Sequence, residues 1–190
     1  MLRRILPPIL VLLAAAALAD DPSVGPTASG QAVADALRDF TASDLALVPA
    51  GLLRESEKKD DLGASLAFAG DGIVVVNVTG AKLREAIERA VSSYPQPSVG
   101  FLQLSGIEAT FKKSGPAGSR LVSVSVGEAK LEDAKTYAVA MPLSLQQGQL
   151  GYANLWENST ILRRFDKATL ADVVKGKHVG SFVSRWSPQG

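Results

Sequence analysis

The chain has no cysteine and one histidine, His178, among 190 residues. The first absence excludes disulfides, thiolate metal sites, redox pairs and thiol nucleophiles. The second excludes any site in this chain that needs two histidines. Charge of one sign is missing too. Twenty Lys and Arg against nineteen Asp and Glu leave a net charge of +1, without the basic excess that marks a nucleic-acid-binding surface. No phosphate loop, HExxH or GxSxG occurs. With 46% hydrophobic and 21% charged residues, the composition is that of a folded globular chain rather than a disordered one.

What is present begins with an apolar run from Ile5 to Leu18. It follows Arg3 and Arg4 and ends at Ala17-Leu18-Ala19. A basic start, a short apolar stretch and small residues at a cleavage point are the pattern of a secretory signal peptide. The run falls short of the roughly 20 residues that span a bilayer. The expectation is cleavage before Asp20, export to the periplasm or the outside, and no membrane attachment afterwards. Residues 20–30, rich in Pro, Gly, Ser and Asp, read as a flexible leader. Residues 31–186 read as one domain and 187–190 as a tail.

Within that domain Val33, Ala36, Leu37 and Phe40 carry helical spacing over Gln31 to Phe40. Leu45 to Val48 is a short apolar strand stopped by Pro49-Ala50-Gly51. Ile73 to Val78 is the strongest strand signal, five of its six residues being β-branched. Thr79 caps a helix whose Leu83, Ala86, Ile87 and Ala90 share a face. Phe101–Leu104, Glu108–Lys112, Leu121–Val126 and Tyr137–Pro142 read as strands, and Lys167–Lys175 as a helix ended by Gly176. Strands outnumber helices and do not alternate with them, so the fold class is α+β. His178, just past that helix, reads as a surface residue. Asp35, Asp39 and Asp44 read as a solvated face. No catalytic group, metal site or cofactor emerges.

Four stretches together resemble the 5'-nucleotidase C-terminal domain family. Ala34-Asp35-Ala36-Leu37-Arg38, followed by Ala46 to Arg54, is similar to its helix, strand and Asn-Gly-Gly-x-x-Arg-like turn. Val74 to Gly80, with Leu83, Ala86, Ile87 and Glu88, is similar to its strand, Thr-Gly and helix. Gly100-Phe101-Leu102-Gln103-Leu104-Ser105-Gly106 is similar to its Gly-Phe-x-Gln-x-Ser-Gly segment. Lys135-Thr136-Tyr137 and Gly148 to Tyr152 are similar to its Lys-Thr-Tyr strand and Gly-rich turn. The set runs in order from Gln31 to Trp156.

The resemblance implies β-sheets flanked by helices and a domain that clamps a nucleotide base between two rings and meets phosphate with arginines. Hydrolysis in that family is the work of an N-terminal metallophosphatase domain. Carried over by position, Arg54 is the expected anion contact, Phe68 the stacking ring, and Gly100 and Phe101 further ligand-side candidates. For Phe101 a core position is the alternative, and for Gly100 a plain turn. Several positions depart from the pattern. Pro49, Ala50 and Leu52 replace an Asn and two glycines, Ser144 falls where the second ring belongs, and Gln149 and Leu150 replace a Gly and an acidic residue. Three readings follow: an exported stand-alone module with residual affinity for a nucleotide or other anionic small molecule; the substrate-binding half of an enzyme completed by a separately encoded metallophosphatase; or an interaction domain that has lost its ligand.

Overall fold

The computed structural model describes residues 21–157 and 159–190. The signal-peptide reading and its cleavage point lie outside them. Nine strands and four helices follow one another along the described chain: α1 Ala28–Thr41, β1 Leu45–Pro49, β2 Gly72–Thr79, α2 Gly80–Ala90, β3 Leu102–Ser105, β4 Ile107–Lys112, β5 Leu121–Val126, β6 Ala129–Lys130, β7 Thr136–Pro142, α3 Leu143–Gln146, β8 Thr160–Thr169, α4 Leu170–Val174 and β9 Trp186–Gln189.

The main sheet has the order β3-β1-β7-β2-β8, with β1 and β7 parallel and the other neighbours antiparallel. A second sheet, β6-β5-β4-β9, leaves it through Gly106, the one residue between β3 and β4. The fold class is α+β, as the sequence implies.

β1 and β2 are apolar without alternation because both faces of the main sheet are covered. Leu45, Leu47, Val74, Val76 and Val78 enter one core with Leu83 and Ile87 of α2 and with Phe111 and Trp186 of the second sheet. Ala46, Val48, Ile73 and Val75 enter the other, with Val33 and Leu37 of α1 and Leu170 and Val173 of α4. Thr79 caps α2, its hydroxyl accepting from the Lys82 N–H at 3.4 Å.

Three segments differ from their sequence reading. Residues 28–30 are the first turn of α1, capped by Thr27, whose Oγ accepts from the Gly30 N–H at 2.9 Å. The stretch before it is held by the buried Gln103 amide. Gln103 Oε1 accepts from the Thr27 N–H (3.1 Å), and Nε2 donates to the carbonyls of Pro22 (3.2 Å) and Gly25 (2.9 Å). The expected helix at Lys167 starts at Leu170, and the residues before it are the end of β8. The Thr169 and Asp172 side chains form a reciprocal capping box that fixes the start. Finally, β9 takes residues 187–189 into the second sheet, parallel to β4.

Among the described residues no helix is long and apolar enough to cross a membrane.

Candidate functional site

Three of the segments singled out above, the turn after β1, the loop before β2 and the residues after β7, lie at one end of the main sheet, where β1 and β7 finish and β2 begins. Pro49 ends β1, and Ala50–Leu52 makes a 3-10 turn. Leu53 then pairs with Leu66 as an isolated antiparallel bridge. This pairing brings the turn beside the loop before β2. The Leu52 carbonyl accepts from the N–H groups of Ala67 (2.9 Å) and Phe68 (3.4 Å). The loop is tied from behind by α4, whose Leu170 and Ala171 N–H groups, unpaired within their own helix, donate to the carbonyls of Asp71 (3.0 Å) and Ala69 (2.9 Å).

The result is a groove of about 350 Å³ walled by Leu52, Leu150 and Phe68, with Asp71, Ser144 and Gln149 as its polar side chains. Phe68 is 61% exposed, more than the other exposed phenylalanines, Phe40 (43%) and Phe182 (41%). Asp71 is the one charged residue in the lining among the described residues. Its Oδ1 accepts from the Ser144 N–H at 3.3 Å and its Oδ2 accepts from the Ser144 hydroxyl. The carboxylate thereby orders the α3 turn, and the groove's polar wall is built from residues 73 positions apart.

The four positions nominated from the sequence do not meet at one place. Phe68 lies in the groove, and so does Ser144, where the resemblance puts the second ring. Arg54 is exposed and is not in the lining. Its Nε donates to the Ala64 carbonyl at 2.8 Å. Gly100 has a close approach, but to protein. A Cβ there would lie 2.8 Å from the Leu150 carbonyl oxygen. The Gly100 carbonyl accepts from the Tyr152 hydroxyl at 2.7 Å. Tyr152 is fully buried, which pushes its phenol pKa well above the usual value despite the opposing charge of Arg89. Gly100 and Tyr152 therefore lock the Gly-rich turn, Gly148 to Gly151, against the start of β3. Phe101 is 3% exposed and packs on Trp186 with ring centroids 5.2 Å apart, so its ring belongs to the core. The residue sequence reasoning missed is Asp71. Its signal is a carboxylate between Gly70 and Gly72, immediately before the strongest strand.

A mixed central sheet with a second sheet drawn off its β3 edge, and a Gly-rich turn locked on a Gly-Phe segment, defines an α+β domain of the nucleotidase type. The chain belongs to the 5'-nucleotidase, C-terminal domain family, whose profile matches residues 14–156. It is 28% identical over 151 residues to a 5'-nucleotidase-related protein of Glossina morsitans morsitans, covering 72% of this chain and 27% of that protein. It is 33% identical over 109 residues to a snake venom 5'-nucleotidase of Macrovipera lebetinus, covering 53% of this chain and 26% of that one. The crystal structure of a 5'-nucleotidase precursor from Thermus thermophilus has the same fold, with a TM-score of 0.75 and 23% identity over 90% of this chain and 37% of that one. The chain thus matches about a quarter of the length of these curated relatives.

Proposed function

We propose that this domain binds a ligand with a flat heteroaromatic ring, of the nucleobase class, in the Phe68 groove, and that the chain by itself hydrolyses nothing. The observation that carries the reading is Phe68, an exposed ring at the mouth of a groove with two leucine walls. A groove of that size lies within the range of small-molecule pockets, about 300–1,000 Å³. Stacking a base on one aromatic ring is worth roughly 1–3 kcal/mol. Among the described residues no second ring faces Phe68 across this groove, since Ser144 cannot stack. Affinity is accordingly weak, on the order of high micromolar or poorer.

The non-hydrolytic part of the reading rests on donor chemistry. Two-metal phosphoryl hydrolysis needs a set of metal ligands that clamps both the attacking and the leaving oxygen, and this chain offers one histidine. The stretch from Arg3 to Ala19 supports export of the chain.

The length of the relatives favours a second reading, in which the domain supplies the ligand-binding part to a metallophosphatase made separately. Calorimetric titration of the full chain with adenosine tests the first reading. Binding that disappears in Phe68→Ala is the expected result, and binding indifferent to that change refutes it. Turnover of nucleoside monophosphates that appears only when a metallophosphatase is added would move the assignment to the second reading.

A further inference from the structure

We infer that the groove selects by hydrogen-bond polarity, taking a free nucleoside or nucleobase with an exocyclic amino group in preference to the phosphorylated nucleotide. The inference rests on the assignment of the Phe68 groove made above and adds to it the chemistry of the polar wall.

That wall is a hydrogen-bond acceptor. Ser144 gives both of its donors to Asp71, the N–H to Oδ1 at 3.3 Å and the Oγ–H to Oδ2. Its hydroxyl proton is therefore engaged, and lone pairs are what it can still offer a ligand. A carboxylate has about four acceptor sites, and Ser144 fills two of Asp71's.

The carboxylate is also held in place. The Asp71 N–H donates to the Phe68 carbonyl (3.4 Å), and the Asp71 carbonyl accepts from Leu170 (3.0 Å). Asp71 cannot turn away without releasing the α3 turn. Among the described residues no lysine or arginine lines the groove to offset it. An amino group of a base stacked on Phe68 finds an acceptor there, and a ribose hydroxyl can do the same. A phosphate brought to the same wall meets a fixed like charge beside apolar surface, where screening by water is reduced. Gln149 has both donor and acceptor in its amide and does not alter the preference.

The test is a titration series on the full chain with three probes: adenosine, AMP, and purine riboside, which lacks the exocyclic amine. Adenosine is expected to bind most tightly, with AMP and purine riboside each weaker by roughly tenfold or more. Asp71→Asn removes the charge and supplies a donor. It should narrow the adenosine–AMP gap to about threefold or less. Ser144→Ala keeps the charge and should keep the gap.

In the wild type, Phe68-dependent binding with AMP as tight as adenosine, or tighter, overturns the inference and leaves the base-binding assignment standing. A gap that is unchanged in a folded Asp71→Asn overturns it too. Absence of Phe68-dependent binding for all three probes overturns both. If Asp71→Asn does not fold, the wild-type series decides alone.

Discussion

Replacing Gly30 by alanine tests the anchoring of the segment before α1. Gly30 is buried inside the first turn of α1. In an ordinary helix the change is favourable by about 1 kcal/mol, because alanine has the better helix propensity. Here a Cβ would lie 2.7 Å from both Cγ and Cδ of Gln103 and 2.8 Å from Thr27 Oγ1. Those atoms cannot drift, because the Gln103 amide makes three hydrogen bonds to residues 22–27 and Thr27 caps the helix.

Relieving the clash means giving up those bonds, at about 1 kcal/mol each, and part of a cap also worth about 1 kcal/mol. Against the propensity gain the net is a destabilisation of about 2–3 kcal/mol, and a fall in Tm of roughly 5–10 °C for a chain of this size. Urea unfolding followed by circular dichroism reads it. The same change made in a Gln103→Ala background should be close to neutral, since only the approach to Thr27 Oγ1 remains and the propensity gain of about 1 kcal/mol offsets it. The coupling between the two sites is then about 2–3 kcal/mol, at the upper end for contacting residues. Equal costs in both backgrounds, or a stabilised Gly30→Ala, would show that the Gln103 anchor does not form.

Three further outcomes are expected. Tyr152→Phe leaves the Gly100 carbonyl without its 2.7 Å partner and should lower stability by about 0.5–1.5 kcal/mol, measured by thermal melting, whereas an unchanged melt would mean the Gly-rich turn is not locked there. Asp172 has its pKa lowered, first by the Thr169 backbone N–H and then by the Thr169 hydroxyl. Its capping contribution is therefore present above the ordinary carboxylate pKa and is lost as pH falls through the depressed folded value. Asp172→Asn should thus be less stable than wild type in urea titrations at neutral pH, with the difference closing in strong acid. Protein recovered from its own host should begin at Asp20 by intact-mass measurement, and retention of residues 1–19 in a membrane fraction would refute the signal-peptide reading.

The central strands were legible because they are buried on both faces. Runs such as Ile73 to Val78 have no other comfortable place, and Thr79 marks the following helix by its side chain alone. β8 was illegible for the opposite reason. Its residues, Thr160 to Thr169, include Arg163, Arg164, Asp166 and Lys167, and most are exposed. It is a strand because β2 offers it a hydrogen-bonding edge, and its register is broken twice along the way. Such bulges and charges are how edges are blunted against further pairing, and they also hide the strand from pattern reading. Its end was encoded nonetheless in Thr169-Leu170-Ala171-Asp172, a capping-box spacing.

Phe68 and Ser144, singled out by aligning short stretches, line one groove in the structure. Asp71 was missed because its role depends on a contact with Ser144 that local sequence does not display. Phe101 is a strand-start residue whose burial is decided by Trp186, far along the chain in β9.

The position of β7 bears on how the chain reaches this state. Residues 136–142 sit between β1, residues 45–49, and β2, residues 72–79. The two most apolar strands therefore have no common neighbour until the last third of the polypeptide has arrived. Sheet closure is a late, long-range event that must overcome the entropy of a large loop. A nascent chain delivered from its amino end carries β2 without either sheet neighbour, and β1 with β3 alone, until β7 arrives, exposing surface that invites aggregation unless a holding chaperone covers it. The same delay keeps the polypeptide open, and an open polypeptide is the form that can be threaded through a narrow channel.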